Sequence, residues 1–202
     1  ATKLDCYRPI AVLAFPTPPA EAVSLAEAKP TLTATVNGDP AALLDGDAGT
    51  YLSFPFSRAQ RAPSLQLDLA EPFAARTLVL RAPSGRNGHR VLLEVSDDGA
   101  TWRTLRDFRI PSSTTGPSVA SVQFEPLAAR HFKLTVRQGD TRSGRLTLAE
   151  LELQGGYRLD NWGGKAAYTR IDGLEPARGV ELGADALVAQ NSMVDLTSRV
   201  AG

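Results

Sequence analysis

Apolar residues in this chain recur mostly at every second position, in short runs separated by turn-forming residues. Leu65, Leu67 and Leu69 share one face, as do Val91, Leu93 and Val95, and Phe132, Leu134 and Val136. A period of two is the signature of a strand with one face buried. The pattern predicts strands over residues 31–36, 64–69, 77–81, 91–95, 118–124, 131–136 and 146–153. Turn signals stand between them, including Asn37-Gly38-Asp39-Pro40. Ser96-Asp97-Asp98-Gly99, just before Trp102, reads as a hairpin turn. Residues 21–29 read as a short helix or linker stopped by Pro30, and no other stretch carries helical periodicity. Seven or eight short strands joined by turns predict an all-β fold, an antiparallel β-sandwich.

Two segments break the pattern. The run Ile10-Ala-Val-Leu-Ala-Phe15 is apolar on both faces and needs cover on both sides. It is expected to pair with a strand from the tail, around residues 193–196, as an extra flanking strand. The tail itself, 156–202, is too thin to bury a second core, and its end, 192–200, reads as a final strand. In the last strand of the sandwich, Leu146, Leu148 and Glu150 fall on one face while Leu151 and Leu153 fall on the other. Either the strand carries a bulge or Glu150 points inward. An inward carboxylate needs a cation beside it, an arginine or a metal, because burying a bare charge is costly.

Composition narrows the partners. The chain has 202 residues with Lys+Arg 22 and Asp+Glu 22, so it carries no net charge. That argues against a nucleic-acid footprint, which needs clustered positive charge. No apolar run approaches the ~18 residues of a membrane span. Cys6 is alone, which leaves no disulfide framework and predicts a buried structural thiol.

Catalytic signatures are missing. No Gly-x-Ser-x-Gly or His-Glu-x-x-His occurs, and Gly85-Arg86-Asn87-Gly88 is no phosphate loop. No two carboxylates stand out as an acid and base for glycoside hydrolysis. His89 and His131 lie on different elements, and His131, beside an apolar strand, is read as packed or hydrogen-bonded. The loop Asp45-Gly46-Asp47-Ala48-Gly49-Thr50 is different: small residues let carbonyls and carboxylates turn inward, as a hard cation requires. The alternative is an ordinary Asp/Gly surface turn. Loop side chains suited to sugar hydroxyls or to stacking are Tyr51, Phe54, Arg81, Arg86, Asn87, His89 and Arg142.

LLDGDAGTYLSF, SLQLDL, EVSDDGATW and LAELEL, spread over 31–155, together resemble the discoidin-like, or coagulation factor type C, domains, whose bacterial sugar-binding members form carbohydrate-binding module family 32. The resemblance implies a galactose-binding-like jelly roll. It also implies a structural calcium held at the positions of Asp45, Asp47, Thr50 and Glu150. The loop 81–87 resembles the Arg-and-Asn loop of the sugar-binding members; with His89 and Arg142, suited by residue type, the expected sugar site comprises Arg81, Arg86, Asn87, His89 and Arg142, and plant-type or pectic carbohydrate is the expected partner. The loop 138–144 departs from those members in having no aromatic residue.

The flanks, DCYRPIAVLAFPTP at one end and LDNWGGKAAY with MVDLTSRV at the other, resemble glycoside hydrolase family 106, large bacterial α-L-rhamnosidases. This resemblance implies that 1–30 and 156–202 belong to a parent enzyme around an inserted domain, 31–155. The catalytic carboxylates would then lie elsewhere in a periplasmic or secreted protein. The expected function is a non-catalytic accessory β-sandwich, structural or weakly carbohydrate-binding. An adhesion module for protein or lipid head groups is the alternative, and it requires Tyr51, Phe54 and Phe56 to be exposed together.

Overall fold

The computed structural model describes residues 11–83, 85, 87–113, 116–139, 143–157 and 187–200. Cys6, Arg86, Arg142 and the LDNWGGKAAY segment lie outside the described residues.

The regular secondary structure of the described residues is almost entirely antiparallel sheet. β1 (Leu13–Ala14) is followed by a 3-10 turn, Pro19–Glu21, and a set of turns to Lys29. β2 (Thr31–Ala34), a 3-10 turn at Pro40–Leu43, and β3 (Leu52–Pro55) follow. Then come β4 (Ser64–Ala82), β5 (Arg90–Ser96), β6 (Arg103–Arg109) and β7 (Ser118–Arg137). β8 (Arg145–Leu148), β9 (Glu150–Gln154) and β10 (Val194–Asp195) complete the set. The main sheet runs β2-β4-β7-β5-β6, with β9 added alongside β4. β3 and β8 form a second sheet, and β1 and β10 a third.

Alternation placed the core correctly. Phe132, Leu134 and Val136 on β7 are buried beside Leu65 and Leu67 on β4 and Val91, Leu93 and Val95 on β5. Leu52 and Phe54 of β3 and Leu146 and Leu148 of β8 are buried in the same core, while the intervening Ser53 and Thr147 are not. The turn after β5 is built as its residues demand. Asp98 accepts hydrogen bonds from the N–H groups of Ala100 and Thr101 and from the Ser96 and Thr101 hydroxyls, and Gly99 takes φ +72°. The Thr101 N–H first, then the other three donors, hold this carboxyl well below the usual carboxylate range. His131 is hydrogen-bonded as expected, its Nδ1 2.6 Å from Asp68 Oδ1.

Three expectations are revised. The strands expected over 64–69 and 77–81 are one strand, β4, and those over 118–124 and 131–136 are one strand, β7. The β4–β7 ladder shifts register between Asp68 and Phe73 and again between Ala75 and Thr77, so Pro72 stands at an irregularity where no ladder N–H is required. The third change concerns the tail. Instead of continuing as a strand, it turns into a short helix, Thr197–Val200, whose start is capped by the Asp195 carboxylate accepting from the Thr197 N–H at 2.8 Å. β10 itself pairs with β1, Leu13 opposite Asp195 and Ala14 opposite Val194, which is the flanking pairing expected from the two apolar segments.

Candidate functional site

The phase problem at Glu150 has a structural answer. The chain leaves β8 at Leu148, and the Ala149 N–H donates to the Arg81 carbonyl at 2.8 Å before β9 begins. β8 pairs with β3, whereas β9 pairs with β4, so one residue of slippage carries the chain from one sheet to the other. Glu150 sits at this crossing. Its Oε1 is fully buried and has no hydrogen-bond partner among the described residues. Burial first, then the neighbouring charges of Asp45 and Glu152, push its carboxyl above the usual range; the Gly46 N–H and Arg81 act the other way.

The Asp-Gly-Asp loop lies against it. Gly46 adopts φ +74°, which turns the loop back on itself. Asp45 Oδ1 accepts from the Asp47 N–H at 2.8 Å, the main cause of its depressed carboxyl, and Asp45 Oδ2 accepts from the Thr50 hydroxyl at 2.7 Å. Thr50 Oγ1 also lies 2.9 Å from the Asp47 carbonyl and 3.4 Å from the Ala42 carbonyl. One hydroxyl hydrogen cannot serve three acceptors. The Asp47 carbonyl also accepts the Thr50 N–H at 3.0 Å, so several oxygens converge here on few hydrogens, and the orphaned Glu150 oxygen is a further one. This donor set is all hard oxygen and suits calcium. The Asp47 carboxylate is engaged elsewhere, accepting from the Gly49 N–H at 2.8 Å, which leaves the residue's carbonyl to face Thr50. Among the described residues, no three His, Cys, Asp or Glu side chains converge as a metal cluster. A cation here would rest on the Asp45 and Glu150 carboxylates, the Thr50 hydroxyl and backbone carbonyls.

Of the sugar residues expected from sequence, the three described ones, Arg81, Asn87 and His89, do not share one exposed surface. Arg81 reaches Glu152, with Nε and Nη2 both 3.3 Å from Oε1, and lines a largely apolar groove of about 530 Å³ beside Leu25, Leu151 and Leu153. His89 is fully buried, its ring centroid 4.9 Å from that of Phe56, and it cannot meet a ligand. Asn87 is also largely buried, donating to Ser118 Oγ at 3.0 Å, yet it lines a cleft. Sequence reading missed this cleft of about 330 Å³ on the outer face of the β3–β8 sheet. Its floor is the hydroxyl pair Ser53–Thr147, 3.1 Å apart, flanked by Tyr51 and Arg145. Tyr51 was one of the side chains suited to stacking, and it is 60% exposed, whereas Phe54 is fully buried and Phe56 half-buried. Arg145 carried no sequence signal. It joins Tyr51 only through the register that sets Pro55 opposite Arg145 and Leu52 opposite Leu148.

His89 predicts a pH dependence. Its Nδ1 accepts the Gly139 N–H at 3.4 Å, so the neutral ring carries its hydrogen on Nε2, which is buried without a partner among the described residues. Burial holds the imidazole below the usual histidine range, against the pull of the Arg145 carbonyl. The unfolded chain takes up this proton near pH 6.5, while the folded chain resists until lower pH. Stability is therefore full above that window and falls as pH drops through it. The urea midpoint is expected to drop between about pH 7 and pH 5, and His89→Gln to flatten that drop.

The comparisons with known proteins agree with this architecture. The F5/8 type C domain profile matches residues 26–151. No curated protein is similar enough in sequence to count as a relative. Among solved structures, the module CpGH89CBM32-5 from Clostridium perfringens, in complex with GalNAc-β-1,3-galactose, is 20% identical. It aligns over 65% of this chain and 99% of its own, with a TM-score of 0.52. The family 32 module of C. perfringens NanJ, in complex with galactose, is 22% identical over 64% of this chain and 96% of its own, with a TM-score of 0.52. A rhamnosidase from Novosphingobium sp. PP1Y is 24% identical over 96% of this chain, with a TM-score of 0.61, and this chain spans 17% of that enzyme's length. At such identities these likenesses show a shared fold. The profile match goes further, and with it the chain belongs to the F5/8 type C domain family.

Proposed function

We propose that this is a non-catalytic accessory domain of a bacterial glycoside hydrolase of the α-L-rhamnosidase kind, which binds carbohydrate weakly in the cleft over the β3–β8 sheet. The cleft carries the reading: an exposed aromatic ring, Tyr51, beside the Ser53–Thr147 hydroxyl pair and Arg145. A ring supplies the apolar contact for a sugar's C–H face, and hydroxyl, amide and guanidinium groups meet its hydroxyls. The parent enzyme is favoured because the rhamnosidase likeness extends over 96% of the chain, including flanks that the two modules, at 65% and 64%, leave out. A periplasmic or secreted location of the parent belongs to the same proposal.

Calcium is the second part. Held by Asp45, Thr50, Glu150 and the carbonyl of Asp47, it would supply only charge, tying the loop to the start of β9. Adhesion to a membrane is disfavoured, because Tyr51, Phe54 and Phe56 form no common exposed tip. No helix among the described residues is long and apolar enough to cross a membrane.

Titration of the 202-residue chain with galactose, rhamnose and pectic oligosaccharides, followed by NMR, tests the sugar site. Shifts confined to residues around Tyr51, Thr147 and Asn87 are expected, with affinity reduced about tenfold by Tyr51→Ala, the scale of one stacked ring. No shift with any of the sugars defeats the proposal.

A further inference from the structure

We infer that the cleft over the β3–β8 sheet selects acidic sugars, with Arg145 receiving the carboxylate of a uronate residue; the inference rests on the carbohydrate-binding reading above. Several arginines described in this structure are already engaged. Arg81 pairs with Glu152, Arg90 with Asp107 at 2.9 Å, Arg130 with Glu71 at 3.5 Å, and Arg109 donates to the Gly88 carbonyl at 3.2 Å. The guanidinium of Arg145 is exposed and makes no ion pair or side-chain hydrogen bond with any described residue. No aspartate or glutamate is among the described residues lining its cleft. The described lining residues therefore carry a positive charge in a chain whose total charge is zero. An unpaired guanidinium beside hydroxyl and amide groups is a receptor for a planar anion, which it grips through two parallel N–H bonds.

Spacing says how such a ligand lies. Arg145, Thr147 and Ser53 share the outer face of the strand pair, because Leu146, Leu148, Leu52 and Phe54 take the inner one. Tyr51 immediately precedes Leu52, which stands opposite Leu148, whereas Arg145 stands opposite Pro55, four residues on from Tyr51. At about 3.4 Å per residue the backbones of Tyr51 and Pro55, the residue opposite Arg145, are about 14 Å apart. A ring stacked on Tyr51 and a carboxylate on Arg145 therefore belong to different sugar units of one oligosaccharide. The hydroxyl pair Ser53–Thr147 lies between them.

The test compares digalacturonate with the neutral digalactose of the same linkage, titrated into the 202-residue chain by calorimetry and NMR. Digalacturonate is expected to bind several-fold to tenfold more tightly at low salt, and the preference to shrink as salt is raised. Arg145→Met, which keeps an unbranched exposed stem, is expected to abolish the preference, lowering the affinity for digalacturonate by a larger factor than that for digalactose. Arg145→Lys, which retains charge without the planar fork, is expected to keep part of it. Equal binding of the two sugars by the native chain overturns the selectivity and leaves the sugar site standing. Binding of neither overturns both. Binding to phosphatidylserine vesicles that depends on Arg145 and exceeds that of digalacturonate overturns the sugar as the anion's source.

Discussion

Chelation of calcium is expected to lower the melting temperature of this domain by roughly 10 °C, and Asp45→Ala to remove that response. A ligand that binds only the folded state adds about 2.7 kcal/mol at a hundredfold excess over its Kd. Each kcal/mol is about 2–8 °C for single domains of this size range. The loop explains why the effect is large. Without a cation, the one Thr50 hydroxyl hydrogen is left to the Asp45 carboxylate and the Ala42 and Asp47 carbonyls, the last of which also receives the Thr50 N–H, and Glu150 keeps a buried oxygen without a partner among the described residues. The same geometry predicts an opposite sign for a second variant. In chelator, Glu150→Gln removes the repulsion between this carboxylate and Asp45 and is expected to melt no lower than the native chain; in excess calcium it is expected to melt lower, having lost a ligand. A native melt that ignores chelator, with no metal found by elemental analysis, rules the site out.

Phe132→Ala is expected to cost about 3–5 kcal/mol, the range for deleting a fully buried ring. Single domains commonly hold about 5–15 kcal/mol in all, so the variant is expected to be partly unfolded at physiological temperature. Phe132 is central for a topological reason: it lies on β7 between Leu67 of β4 and Val95 of β5, and it is fully buried. The cavity left behind would open between three strands of one sheet, where the ladders limit collapse. Urea unfolding of the native chain and of Phe132→Ala and Phe132→Leu checks this. Leucine, which retains most of the apolar contact, is expected to lose far less. A loss under about 1 kcal/mol for alanine would contradict the placement of this core.

Much of the sandwich was legible because strand alternation is a local property. Val91, Leu93 and Val95 share a face whatever lies opposite, and the Ser96–Gly99 turn is closed by its own side chains. The mismatch at Glu150 was legible for the same reason, since a carboxylate in phase with Leu146 and Leu148 signals either a break in the strand or a buried charge. Both occur: the chain changes sheet at Ala149, and one Glu150 oxygen is buried.

The sugar surface was not legible, because a residue's type and loop position do not reveal what covers it. His89 is buried by Phe56 and Gly139, each more than thirty residues away in sequence, and Arg81 is held by Glu152 from a strand far along the chain. Conversely, Tyr51 and Arg145 look unrelated until β3 and β8 pair, bringing Ser53 and Thr147, 94 residues apart, within 3.1 Å. By itself, then, the sequence determined which residues of these strands face inward, the Ser96–Gly99 turn and that the Asp45–Thr50 loop is rich in oxygen donors, all consequences of backbone geometry over a few residues. Only the tertiary structure decided which polar side chains reach solvent together, because that depends on long-range register between strands, which no local pattern encodes.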